Sequence, residues 1–269
     1  MLSSRANSVR GLYDIVRSLG RVIVAYSGGV DSATLLAVAH EVLGRDVLAV
    51  TGSSPSLAQG ELASAVALAA RIGARHETID THEFDDPRYR RNERDRCYRC
   101  KDELFSQLTA LARERGYDAV ADGFNADDGR SPLDVRPGRV AGLRHGVRSP
   151  LAEAGLGKDE IRGLARQFEL SVWDKPATPC LSSRVPYGTA IETDMLRSID
   201  LAERYLRALG FSVVRVRHFG ATARIEVPRE RLAELGAKRP DIERALRAVG
   251  YAEVMIDPRG YRTGSLNAG

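Results

Sequence analysis

Val22-Ile23-Val24-Ala25-Tyr26-Ser27-Gly28-Gly29-Val30-Asp31-Ser32 decides the fold. Five apolar residues running into a turn signal are the pattern of a strand buried on both faces, as in a parallel sheet. The glycine pair follows, and Ser32-Ala33-Thr34-Leu35-Leu36-Ala37-Val38-Ala39 then carries a helical period. A strand that passes through a tight glycine turn into a helix aims backbone N–H groups and a positive helix end at one point. Gly28 and Gly29 let the backbone approach an anion with no Cβ in the way. Ser27 and Ser32 add hydroxyl donors on either side of Val30, and Asp31 is placed to hold a magnesium ion against phosphate oxygens. A plain Ser/Gly turn accounts for the glycines but not for all six residues in this context. The two commoner phosphate loops are absent, since neither Gly-x-x-x-x-Gly-Lys-Ser/Thr nor Gly-x-Gly-x-x-Gly opens the helix.

Outward from this loop, apolar runs alternate with helical periods: helix 8–19, strand 21–26, helix 32–43, strand 46–51, helix 58–73, strand 75–80, helix 101–116 and strand 118–122. That order predicts an α/β fold, a parallel sheet with helices on both faces, whose ligands bind beyond the strand C-termini. Thr51-Gly52-Ser53 ends the second strand and Asp122-Gly123-Phe124-Asn125 the fourth, so both belong at the same edge as the opening loop. Residues 129–150, rich in Gly, Arg and Pro, read as a loop, and helix 158–168 follows with Lys158 and Arg162 near its start. The stretch 174–188 is too rich in proline for helix or central strand, and it is dense in reactive residues. From 191 the pattern changes to helix 192–209, strands 212–217 and 222–227, helices 229–235 and 239–249, and strand 251–256. We therefore expect a domain over 1–190, a smaller α/β domain over 191–269, and a loose tail from 257.

The 269 residues, 43% hydrophobic and 28% charged, suit a globular protein with real cores. No apolar stretch is long enough to span a bilayer, and the N-terminus lacks an apolar signal core, so a cytoplasmic protein is expected. The net charge is +4, with Lys only at Lys101, Lys158, Lys175 and Lys238. Acids and arginines are interspersed, and no basic block exceeds Arg88-Tyr89-Arg90-Arg91. That distribution suits anionic small substrates and gives no reason to expect a nucleic-acid partner. Glu192, Asp194, Glu203 and Glu226 are candidate metal ligands, although solvated helix and strand faces are the simpler reading for them.

Three cysteines are too few and too unevenly placed for a disulfide framework. Cys97-Tyr98-Arg99-Cys100 reads as a redox pair, half a zinc site or part of an iron–sulfur site, and Cys180 lies in the Pro-rich loop. None of the five histidines stands in a ligand-spaced pair, and three unrelated thiols, with Cys97 and Cys100 buried at a helix start, are the simplest alternative. Arg184, four residues after Cys180, is placed to lower the thiol pKa or to bind a phosphate or carboxylate of a substrate.

The Ser27–Ser32 loop resembles the PP-loop of the N-type ATP pyrophosphatases, which cleave ATP between the α- and β-phosphates and adenylate a substrate. Four further segments follow it in order: Arg96-Cys97-Tyr98-Arg99-Cys100-Lys101, Asp122-Gly123-Phe124-Asn125, Arg148-Ser149-Pro150-Leu151, and Pro179-Cys180-Leu181-Ser182-Ser183-Arg184-Val185-Pro186-Tyr187-Gly188. Together, over roughly 15–256, they resemble the LarE family of ATP-dependent sulfur transferases, the Cys180 segment most specifically. The resemblance implies sulfur insertion into pyridinium-3,5-biscarboxylic acid mononucleotide on the way to the nickel-pincer nucleotide, and a homo-oligomer. It implies that the Thr51–Ser53 segment contacts adenine and ribose. Asp122 and Asn125 are then candidates for the nucleotide or its metal. Two sulfur sources are implied: Cys180 gives up its own sulfur and becomes dehydroalanine, or Cys97, Cys100 and Cys180 hold a [4Fe-4S] cluster. The thiol count favours the cluster.

A tRNA thiolase shares the loop and the cysteines but predicts a basic RNA-docking face, which the charge pattern does not supply. An amide-forming synthetase would leave the cysteines unused. A non-catalytic nucleotide-binding domain would bind ATP without releasing pyrophosphate and would not need Cys180.

Overall fold

A computed structural model describes residues 2–128, 137–262 and 266. The chain divides into two compact units. The first takes Met1–Ser54, Gly60–Tyr89 and Asp95–Thr178, and the second takes Pro55–Gln59, Arg90–Arg94 and Pro179–Gly269. Chain order is α1 (Leu2–Ser18), β1 (Val22–Ala25), α2 (Val30–Leu43), β2 (Val47–Ser53), α3 (Glu61–Ile72), β3 (Arg75–Asp80), α4 (Pro87–Arg90), α5 (Arg96–Arg115) and β4 (Ala119–Ala121). Then come α6 (Pro137–Arg144), α7 (Pro150–Glu153), α8 (Lys158–Gln167), α9 (Thr193–Ala208), β5 (Arg215–Phe219), β6 (Thr222–Glu226), α10 (Leu232–Ala237), α11 (Arg239–Ala248) and β7 (Glu253–Ile256).

In the first unit four parallel strands are ordered β3-β2-β1-β4, with Val24 of β1 opposite Ala49 of β2 and Ala121 of β4. Every residue of β1 is buried because its two faces feed two cores. Val22 and Val24 pack with Leu12 of α1, Leu35 of α2, Leu68 of α3 and Ile161 of α8. Ile23 and Ala25 pack with Phe105 and Leu108 of α5 and Ala141 of α6. The expected parallel sheet with helices on both faces is therefore what forms. Strand order reverses at β1, so the loop after it opens at a topological switch point, where α/β sheets bind ligands.

The second unit carries a three-stranded sheet, with β5 antiparallel and β7 parallel to the central β6. Ala202 and Leu206 of α9, Leu235 of α10, and Ile242 and Leu246 of α11 close over its apolar side.

Three local expectations need correction. α5 starts at Arg96 rather than 101, so Cys97 lies in its first turn and Cys100 at the start of its second. α6 stands within the stretch read as a loop. Its two glycines hide it from propensity, but Gly138 permits close packing on α5, since a Cβ there would come within 2.9 Å of Lys101 Cγ. The remainder of that expected loop, 129–136, lies outside the described residues. The tail is pinned as far as Tyr261, because Asp257 N–H donates to Ile225 O at 2.9 Å and Tyr261 N–H to Val227 O at 2.8 Å. The rest of the expected loose tail, 263–269, lies outside the described residues apart from 266. Among the described residues no helix is long and apolar enough to cross a membrane.

Candidate active site

The loop after β1 is built by close approach. Tyr26 N–H makes the last sheet bond, to Val50 O at 2.8 Å, and the chain then turns through Gly28 at φ +71°. A Cβ on Gly28 would lie 2.9 Å from Ala65 Cβ, so this position excludes side chains by conformation and by space. Gly29 is extended (φ −78°, ψ 163°) and accepts the Ala33 amide at 2.9 Å as α2 begins. The Ser27 and Ser32 hydroxyls lie 3.1 Å apart, and the Ser27 amide donates to Ser32 Oγ at 3.2 Å. Val30 is buried in the core, so only its backbone is available to a ligand. A glycine turn running into a helix start is an arrangement that suits an anion. On the ATP chemistry that the resemblance implies, Gly28→Ala is expected to lower the rate of pyrophosphate release by about 100-fold through a displaced loop, with the thermal midpoint as a fold control.

The same edge gathers the other expected residues of this unit. Thr51 Oγ1 donates to Tyr26 O at 2.7 Å, so its contact with His76 Nε2 at 2.8 Å requires the imidazole to be the donor. Ser53 O accepts the Thr81 amide at 2.9 Å, fixing the end of β2. Asp122 Oδ1 accepts Ser149 Oγ at 2.8 Å and the Phe124 amide at 3.1 Å. Gly123 passes so near the loop that a Cβ would meet the Ser32 nitrogen at 2.8 Å. Asn125, 2% exposed, accepts the Asp127 amide at 2.9 Å through Oδ1. Asp31 is not free: both its carboxylate oxygens accept Lys158 Nζ, at 2.7 and 2.6 Å. Lys158 is a site residue that the sequence reading noted without assigning a role, because a pairing across 127 residues has no spacing signal.

Burial lowers the His76 pKa, more than the neighbouring Glu77 charge raises it, and burial likewise lowers that of His218. A folded-state value below the unfolded one, about 6.5, means that the unfolded chain takes up the proton first as the pH falls. Stability is therefore complete above about pH 6.5 and declines below it. His76→Gln, which keeps a donor for Thr51, is expected to flatten the decline in thermal midpoint between pH 7 and pH 5.

None of the three cysteines is in a disulfide. Cys97 is exposed and Cys100 half-buried, three residues apart on one face near the N-terminal end of α5. In the second unit Cys180 is exposed and immediately precedes a short 3-10 turn, Leu181–Arg184. Among the described residues no three of His, Cys, Asp or Glu are gathered as a metal site.

Arg184 is fully buried. Its Nη1 donates to Pro179 O at 2.6 Å, Cys180 O at 3.1 Å and Ser183 Oγ at 2.9 Å. Its Nε and Nη2 form a fork on Glu203 at 2.8 and 2.9 Å. Glu203 also accepts Arg207 Nη2 at 2.6 Å and the Val216 amide at 3.0 Å. Burial pushes the Glu203 carboxyl up, but the Arg184 hydrogen bonds and charge outweigh it and hold the pKa below the usual range. Beside it Arg217 pairs with buried Glu226 and donates to Ser183 O at 3.0 Å. Arg215 is 5% exposed, and its pKa is lowered by burial and then by the Arg184 charge. Glu203 and Glu226 are thus buried partners of arginine, not solvated faces, whereas Glu192 pairs with Arg90 at the surface. The alternation Arg215-Val216-Arg217 was the available signal for this cluster, since both guanidiniums leave one face of β5.

No family model matches the chain. An uncharacterized protein of Synechocystis sp. is 43% identical over 269 residues, covering 99% of this chain and 98% of that protein. The pyridinium-3,5-bisthiocarboxylic acid mononucleotide synthase of Lactiplantibacillus plantarum is 36% identical over 267 residues, 99% of this chain and 96% of that enzyme. More distantly, a tRNA-specific 2-thiouridylase of Rickettsia massiliae is 31% identical over 191 residues, 58% of this chain and 52% of its own. Near-complete coverage by the synthase, around an anion cradle and an exposed thiol, places the chain in the LarE family of ATP-dependent sulfur transferases, within the PP-loop superfamily.

Proposed function

We propose that this enzyme adenylates a carboxylate of pyridinium-3,5-biscarboxylic acid mononucleotide and replaces the AMP with sulfur, giving a thiocarboxylate. The observation that carries the reading is Cys180, an exposed thiol on a loop fixed by a fully buried arginine. A carboxylate is a poor electrophile. Its oxygen attacks the α-phosphorus of ATP, pyrophosphate leaves, and the resulting acyl-adenylate accepts a sulfur nucleophile at carbon as AMP departs. The Ser27–Ser32 cradle stabilises the charge on the phosphates, and the Thr51–Ser53 segment lines the adenosine side. Asp31, a single carboxylate at the mouth of a phosphate site, is the donor set that magnesium uses, and bound there the ion would shield phosphate charge.

In the second unit Arg184 and Arg207 pair with Glu203, and Arg217 and Arg224 with Glu226. Arg184, with donors on Pro179, Cys180, Ser183 and Glu203, acts as a positioning residue for the thiol.

For the sulfur source, Cys97, Cys100 and Cys180 would hold a [4Fe-4S] cluster, whose iron without a protein thiolate supplies a bound sulfide. Three cysteines outside any disulfide, two of them near a helix start, suit that role. A second reading rests on Cys180 alone, an exposed thiol within the second unit. In it, the Cys180 thiolate attacks the acyl-adenylate, and loss of the Cys180 α-proton then breaks its Cβ–S bond, leaving dehydroalanine and the thiocarboxylate. Family membership adds the proposal of a cytoplasmic homo-oligomer. Anaerobic reconstitution with iron and sulfide separates the sources. Bound iron that is lost in Cys180→Ala supports the cluster. An iron-free enzyme whose Cys180 loses the elements of H₂S on turnover supports sacrifice. An enzyme that releases no pyrophosphate with the substrate contradicts both.

A further inference from the structure

The ion pair at the mouth of the cradle points to a function for Lys158 that rests on the ATP-activating reading above and deepens it. We propose that Lys158 is an exchangeable latch: its ammonium occupies the Asp31 carboxylate in the nucleotide-free protein and transfers to phosphate when ATP enters, so that metal and nucleotide bind together.

Both Asp31 oxygens are taken, at 2.7 and 2.6 Å from Nζ. A divalent cation needs those same oxygens at about 2.0–2.1 Å, and an ammonium already there opposes it by charge and by space. Asp31 lies in the first turn of α2, where a negative charge is favoured. Lys158 is the first residue of α8, where a cation is disfavoured by the same dipole. A lysine at this position contributes little to its own helix, and its evident partner is across the cradle.

The backbone at 158 is held independently of the side chain's ion pair. The Lys158 amide donates to Asp127 Oδ2 at 2.6 Å, and the Gly157 amide to Glu160 Oε2 at 3.2 Å. A Cβ on Gly157 would meet Asp127 Oδ2 at 2.6 Å, so the glycine is what lets Asp127 cap the helix so closely. Ile161 and Leu164 of α8 share one buried core with α2, which fixes the two helix starts side by side. From that anchor a four-carbon stem carries the charge, and its three donors suit phosphate oxygens as well as a carboxylate. The pair is part-exposed, 38% for the lysine side chain and 25% for the aspartate, so exchanging it costs little. Moving Lys158 onto phosphate vacates Asp31 for the metal, and metal on Asp31 drives Lys158 toward phosphate. The coupling is reciprocal by linkage.

The test uses manganese as a paramagnetic stand-in for magnesium, with a non-cleavable ATP analogue, on the full chain. Manganese alone, analogue alone in chelator, and both together are titrated by electron paramagnetic resonance and calorimetry. In wild type, each ligand is expected to tighten the other. Lys158→Met is expected to bind manganese alone about fivefold tighter and the analogue alone about tenfold weaker, with the mutual tightening reduced. Lys158→Arg, which keeps the charge, retains the mutual tightening, and an equal loss in both variants would overturn the latch. Manganese binding to Lys158→Met no tighter than to wild type also overturns it, while the nucleotide reading stands as long as the analogue binds. A wild-type protein that binds no analogue under either condition removes the nucleotide reading and the latch together.

Discussion

Cys180→Ala is expected to abolish thiocarboxylate formation, by at least ~10³-fold, while substrate-dependent exchange between ATP and pyrophosphate continues near the wild-type rate. The thiol is exposed, and its removal leaves no cavity, so the change in stability stays within about 0.5 kcal/mol. The groups assigned to adenylation (Ser27, Gly28, Gly29 and Ser32) belong to the first unit, whereas Cys180 belongs to the second. Both sulfur sources require this residue, so the result does not depend on which operates. Loss of the exchange reaction together with product would mean that Cys180 supports activation rather than transfer.

Arg184→Met is expected to destabilise the second unit by about 3–5 kcal/mol. Arg184 and Glu203 are both completely buried, and without the fork Glu203 keeps only Arg207 and the Val216 amide to offset its desolvation. Arg184→Lys restores the charge without the planar fork and recovers only part of the loss. Hydrogen exchange at the Val216 amide, which donates to Glu203, reads the change locally. The same carboxylate gives the pH dependence its sign. Its folded pKa is depressed, so its contribution is present above about pH 4.3 and is lost as the pH falls through the lower folded value. In Arg184→Met the Cys180 loop also loses the donors on Pro179 O and Cys180 O, so transfer falls more than adenylation.

The parts of this protein legible in its sequence are those written in local pattern. The β1–loop–α2 unit was readable because a doubly buried strand, a glycine pair and a helical period each have a one-dimensional signature. The parallel sheet followed from alternation of strands and helices. What could not be read is held together across the chain. Lys158 finds Asp31, and Arg184 finds Glu203, through packing that no spacing encodes. The early start of α5 carries one sequence signal, the N-cap residue type Asp95, while α6 carries none because glycine disfavours helix unless a neighbouring element needs the room. Glu203 and Glu226 read as surface acids because charge alone does not reveal a buried arginine opposite.

The central claim is that ATP cleavage to pyrophosphate is coupled to replacement of carboxylate oxygen by sulfur. The most direct measurement is mass spectrometry of pyridinium-3,5-biscarboxylic acid mononucleotide after anaerobic incubation with the enzyme, ATP and magnesium. The account predicts a product heavier by one sulfur-for-oxygen exchange, formed with AMP and pyrophosphate in equal amounts. Pyrophosphate release with the nucleotide recovered unchanged, or tRNA thiolated in its place, would contradict it.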